Sequence, residues 1–120
     1  MKKVTLFILL LSVCLQSVVW AKIWGVKSHD PISQPPATLF CFDEDGSNLS
    51  IIGVITLNAE QIDVDGLALS ADDVLYGFQV NGTDSRLITL DKATAQATVV
   101  GDWLVGKDIR GATIDNLGQL

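Results

Sequence analysis

The chain has 120 residues, enough for one small domain, and a formal net charge of −6. Its acids outnumber its bases 14 to eight and no basic cluster is present. That balance excludes a nucleic-acid binder, which needs bases to neutralise phosphates, and a protein that docks on anionic lipid.

The first 21 residues read as a segment apart. Lys2-Lys3 is a positive start, Val4 to Val13 is apolar apart from Thr5 and Ser12, and Val19-Trp20-Ala21 ends on a small residue. This order is that of a secretory signal peptide over residues 1–21, which implies a secreted, periplasmic or cell-envelope protein. Val4–Trp20 is at the short limit for a membrane span and carries Gln16, so membrane contact is expected only through an uncleaved signal. Leu11-Ser12-Val13-Cys14 approaches a lipoprotein signal, but Val13 is larger than the small residue such a signal wants. Cleavage after Ala21 leaves 14 acids against six bases, a formal net charge of −8, scattered mostly in turns. It also leaves Cys41 as the lone cysteine, which excludes an internal disulfide and a Cys-rich zinc site.

Lys22–Lys27 reads as a short strand. The loop from Ser28 to Pro36 carries three prolines and admits no regular element. Thr38–Asp43 and Leu49–Thr56 read as strands separated by the turn Glu44–Asn48. Leu57–Val64 is a connector, with a short helical or irregular turn at Asn58–Gln61. Four apolar runs follow, Gly66–Ser70, Val74–Val80, Arg86–Asp91 and Ala97–Gly101. Each is bounded by Gly, Asn, Asp or Ser, the composition of strands separated by turns. The class expected is all-β, in four-stranded antiparallel meanders.

The chain also repeats. Ile23-Trp24-Gly25-Val26 matches Leu75-Tyr76-Gly77-Phe78 at an offset of 52, and Leu39–Asp43 matches Leu87–Asp91 at 48. Ile52-Gly53 matches Val100-Gly101 at 48, and Gly66–Ser70 matches Gly111–Asp115 at 45. The offset changes only across loops. A period of 45–52 residues with four strands per unit is that of a β-propeller blade. With strands lettered A to D from the hub outward, repeat one spans 23–70, repeat two spans 75–115, and a further blade begins at 116–120.

The residues of Asp65–Asp102, with Leu75-Tyr76-Gly77, Leu90-Asp91 and Thr98-Val99-Val100-Gly101, resemble the propeller repeats of secreted bacterial proteins. The resemblance covers about residues 22–120. It implies an incomplete β-propeller of about two repeats, and it implies little about activity. Thr94-Ala95 departs from the Thr-Gly pair of that pattern, so strain is expected in a turn that favours positive φ. The segment opens on a B strand and stops inside another, and a ring needs about four blades. An N-terminal fragment of a longer protein is therefore expected, or else a small protein whose copies associate to close the ring.

The chemistry-bearing residues give weaker signals. Ser28-His29-Asp30 holds the letters of a hydrolase triad, but sequence neighbours cannot adopt triad geometry. Asp43-Glu44-Asp45-Gly46 and Asp63-Val64-Asp65-Gly66 make Asp43, Asp45, Asp63 and Asp65 weak metal-ligand candidates. Neither run has the closing glutamate of a calcium loop, so acidic turns are the simpler reading and no metal is expected. Asn48-Leu49-Ser50 and Asn81-Gly82-Thr83 fit a glycosylation sequon, though Asn81-Gly82 already marks a hairpin. Trp24 and Tyr76 are equivalent aromatics expected to pack between blades, and Cys41 aligns with Thr89 as buried packing. Trp103 and Arg110 lie in the connection after the last strand, the kind of segment that reaches a ring face, and are the ligand-binding candidates.

These features lead to an exported, non-catalytic binding or scaffolding segment with no cofactor and a protein or carbohydrate partner. The alternative is the N-terminal part of a secreted propeller enzyme (a lactonase, lyase or quinoprotein-like oxidoreductase) whose active site lies beyond residue 120.

Overall fold

The computed structural model describes residues 21–27 and 36–120. Residues 1–20 of the segment read as a signal peptide (1–21) and the Ser28-His29-Asp30 loop lie outside them. The described residues are all-β, with nine strands and no helix. No helix among them is long and apolar enough to cross a membrane.

Strands β1 (Lys22–Lys27), β2 (Thr38–Asp43) and β3 (Ser50–Val54) form an antiparallel sheet in chain order. Strands β6 (Asp63–Leu69), β7 (Leu75–Asn81), β8 (Asp84–Leu90) and β9 (Ala97–Val99) form the second, a four-stranded antiparallel meander. Between them β4 (Thr56–Leu57) and β5 (Glu60–Gln61) make a small hairpin. This hairpin stands where a short helical or irregular turn is expected, at Asn58–Gln61. Asn58 and Ala59 both have positive φ, 51° and 68°, which closes a tight two-residue turn and cannot continue a right-handed helix. Ala59 sits where this turn favours glycine. Ala59→Gly therefore raises stability by about 1 kcal/mol, read as a rise in the midpoint of chemical unfolding.

The ladders of the two sheets keep the same register. Trp24 lies opposite Cys41 and Gly25 opposite Phe40, just as Tyr76 lies opposite Thr89 and Gly77 opposite Ile88. Phe40 faces Ile51 and Cys41 faces Ser50, as Ile88 faces Val99 and Thr89 faces Thr98. The irregularity recurs as well. β2 and β3 slip register between Leu39 and Phe40, and in the second sheet Val100 and Gly101 both donate to the Leu87 carbonyl. That bulge ends β9 at Val99, short of the expected Gly101.

Three other boundaries move. β6 begins at Asp63 rather than Gly66, because a bulge between Asp65 and Leu67 lets the strand run on against Phe78, Gln79 and Val80. The Asn-Gly hairpin closes on Gly82-Thr83, with Asn81 paired to Asp84 and Gly82 at φ 62°. Glycine at the first central position suits that turn. Gly111–Asp115, expected as a fresh inner strand, forms no ladder among the described residues. A strand without a partner strand has nothing to saturate its backbone groups.

Alternation along the strands builds the core. Leu39 on β2 is fully buried against Leu75, Ile88 and Leu90 of the second sheet, with Ile55 and Val64 closing the gap. Trp24 and Val26 pack on the same cluster from β1. Ala95, at φ 60°, carries the strain expected of the Thr94-Ala95 turn, and its methyl is fully buried in this core.

Candidate functional site

A cluster of polar contacts lies at one end of the second sheet. There the β7–β8 hairpin, the start of β6 and the 102–110 connection meet. The hairpin register places Gln79 opposite Arg86, and Arg86 Nε donates to Gln79 Oε1 at 2.7 Å. The same guanidinium stacks over Trp103, 4.5 Å from the ring centroid. An arginine held over an aromatic face is a cation–π contact and fixes both planes.

Backbone pairing holds the connection in place. Leu104 bridges Ser85 antiparallel, and the Leu104 amide donates to the Ser85 carbonyl at 2.7 Å. The Ile109 amide donates to the fully buried Ser85 Oγ at 3.0 Å, and the Gly106 amide to Asp84 Oδ1 at 2.8 Å. Arg110 then donates from Nε and Nη2 to one oxygen of Asp108, at 2.9 and 2.7 Å. Its hydrogen bond to Asp108, with Asp65 and Asp63 adding attraction, holds the Arg110 guanidinium above its ordinary pKa.

The structure thus brings Trp103 and Arg110 into one connection and sets the Asp63 and Asp65 carboxylates within electrostatic reach of Arg110. Sequence reasoning missed Arg86 and Gln79. Fixing the two-residue hairpin at Gly82-Thr83 would have found them, since that register pairs residue 79 with 86. The arrangement presents an aromatic ring, two guanidiniums and several carboxylates. It can bind by stacking and charge-assisted hydrogen bonds.

Asp43 and Asp45 are elsewhere, at the β2–β3 turn. Asp43 is buried at the strand end, pairs with Lys22, and accepts from Asn48 Nδ2 at 2.6 Å. Asn48 donation first, then Lys22, holds the Asp43 carboxyl below the ordinary carboxylate range. Asp45 accepts the Ser47 amide and hydroxyl at 2.9 and 2.6 Å. These carboxylates clamp a turn, and no metal-holding group of acids, Cys and His occurs among the described residues. Asp91 plays the same part in the second sheet, accepting the amides of Ala93 and Thr94 at 2.8 and 3.0 Å.

Hydrogen bonds hold Asp43, Asp45 and Asp91 all below their ordinary pKa. Their stabilising contribution is complete above the unfolded value of about 3.9 and is lost as pH falls through the lower folded values. Melting temperature followed from about pH 6 downwards should be flat to about pH 4 and then fall. Asp91→Asn should flatten part of that acid limb.

Cys41 is buried on β2 opposite Trp24 and is a packing residue. Trp24 packs at the intersheet core, with Lys92 5.8 Å above its ring. Tyr76 instead borders an open groove with Leu87, Val100, Ile114 and Leu120. No family model, curated protein or solved structure matches the chain.

Proposed function

We propose that the chain is an exported β-propeller segment with a non-catalytic binding or scaffolding role at the cell envelope or outside the cell. The observation that carries this reading is the shared ladder register of β1–β3 and β7–β9, bulge included. Two such sheets stacked face to face are what consecutive blades require. β6 is then the inner A strand of the second blade, and β1–β3 are the B, C and D strands of the first.

The polar end built from Arg86, Trp103 and Arg110 lies where a blade connection meets a ring face, and is the binding surface for a protein or carbohydrate partner. Stacking over an exposed sugar or side-chain plane is the chemistry that Trp103 and Arg86 offer. Export is read from the positive and apolar character of residues 1–21.

Two measurements test this. When residues 1–120 are expressed, the product recovered outside the cytoplasm is expected to be lighter by residues 1–21, and a retained leader would contradict cleavage. A glycan array probed with that product is expected to show retention that Trp103→Ala abolishes. Turnover of a lactone or polysaccharide substrate by the purified chain would replace this reading with an enzymatic one.

A further inference from the structure

The two sheets leave open two faces that the chain itself shows to be complementary. In the second sheet Leu75, Ile88 and Leu90 are buried against Leu39 and its neighbours from the first. Their register equivalents in the first sheet are Ile23, Phe40 and Phe42. That face is uncovered among the described residues: Ile23 is 44% exposed and the two phenylalanine rings, 6.3 Å apart and stacked, are only half-buried. The converse holds on the other side. Trp24 and Leu39 sit in the intersheet contact and Cys41 is buried, whereas their equivalents Tyr76, Leu87 and Thr89 are half-buried. Tyr76 and Leu87 line the groove of about 540 Å³.

The segment after Arg110 is already shaped like an inner strand and its turn. Asp115 N donates to Gln119 O at 2.9 Å and Gly118 N to Asp115 O at 3.1 Å. Ser70 N to Val74 O at 2.9 Å and Asp73 N to Ser70 O at 3.0 Å are the same bonds in the β6–β7 turn. Asp73 and Gly118 share positive φ, 69° and 79°. Gln119 N donates to Asp115 Oδ1 as Val74 N donates to Ser70 Oγ. Gly111 packs against its own equivalent, Gly66. Among the described residues, what this segment lacks is a second strand, and what β1 lacks is a strand on its free, inner edge.

We infer that β1 of one copy takes residues 112–114 of a second copy as its inner strand, so that copies join head to tail. The pairing is Ala112 with Gly25, Thr113 with Trp24 and Ile114 with Ile23, transposed from Leu67 with Gly77, Ala68 with Tyr76 and Leu69 with Leu75. The Ile23, Phe40 and Phe42 face then covers the Tyr76 and Leu87 groove of that copy, reproducing the contact already present within the chain. A contact of this heterologous kind closes into a ring if the rotation allows, and two copies of these sheets supply four blades, the number from which a ring closes. The inference rests on the blade reading above. Both partners are acidic and the contact is apolar, so added salt strengthens it.

The test mixes the exported Ile23→Cys and Ile114→Cys variants under mild oxidation. The expected product is a disulfide-linked pair joining one of each, absent when Leu117→Cys, exposed on the neighbouring turn, replaces Ile114→Cys. Light scattering is expected to give a multiple of the single-chain mass, reduced to one copy by Ala112→Pro, which removes a backbone donor at a position outside both ladders. A folded chain that stays a single copy at every concentration, or equal cross-linking by Leu117→Cys, overturns the inference. Amide NMR separates the two failures. Single copies retaining the Gly25–Phe40 and Gly77–Ile88 pairings overturn only the association, whereas loss of those pairings removes the blade reading as well.

Discussion

Leu39→Ala and Ile88→Ala are each expected to lower the unfolding free energy by about 3 kcal/mol. Both side chains are fully buried, one from each sheet, and they belong to one apolar cluster. Deleting either leaves a cavity that rigid strands on two sides cannot close. Val105→Ala, at a side chain 77% exposed in the connection, should shift stability by less than about 0.5 kcal/mol. Urea unfolding at fixed protein concentration measures all three. Because the cluster spans both sheets, a single transition is expected, and the double variant should fall short of or exceed the sum of the singles. Two separated transitions, with Leu39→Ala moving only one, would mean that the sheets fold independently.

Gly66→Val should be about as damaging, near 3 kcal/mol, for a different reason. Gly66 stands at the β6 bulge with φ +67°, where a β-branched residue is strained. A Cβ there would also lie 3.0 Å from the Gly111 Cα, a backbone atom that cannot rotate away. Gly82→Ala separates the two contributions. Its φ is +62° but nothing lies within 4 Å of the added carbon, so only the strain of about 1 kcal/mol is expected. Equal losses at the two positions would show that the Gly66–Gly111 contact carries no weight.

Much of this fold was legible in the residues themselves. Alternation and turn composition located β1, β2, β7 and β8 to within two residues, because each is a short run rich in apolar residues and bounded largely by turn-forming residues. The order of the four-stranded meander followed from its short turns. What was missed depended on backbone conformations that composition does not encode. The Asn58-Ala59 hairpin lacks glycine at its second central position, so its turn chemistry is disguised. The bulges at Gly66 and Val100 shift strand ends without changing hydrophobic pattern. Gly111–Asp115 has the apolar content of a strand, but a strand also needs a neighbour, which local sequence cannot show. At the candidate site, Trp103 and Arg110 were visible as an aromatic and a cation in a connecting segment. Arg86 and Gln79 were hidden because their meeting depends on hairpin register. In the turn that carries Asp43 and Asp45, the carboxylates accept from Lys22, Asn48 and Ser47, partners that lie outside any sequence motif.

The blade reading predicts a geometry that stacked sheets alone do not require. A crystal structure of the protein tests it most directly. The expected result is sheets arranged radially about one axis, with β6 innermost, β9 and β3 at the rim, and Trp103 and Arg110 at one face of the ring. A closed two-sheet sandwich, with the Ile23 and Phe40 face turned to solvent and no central axis, would contradict it.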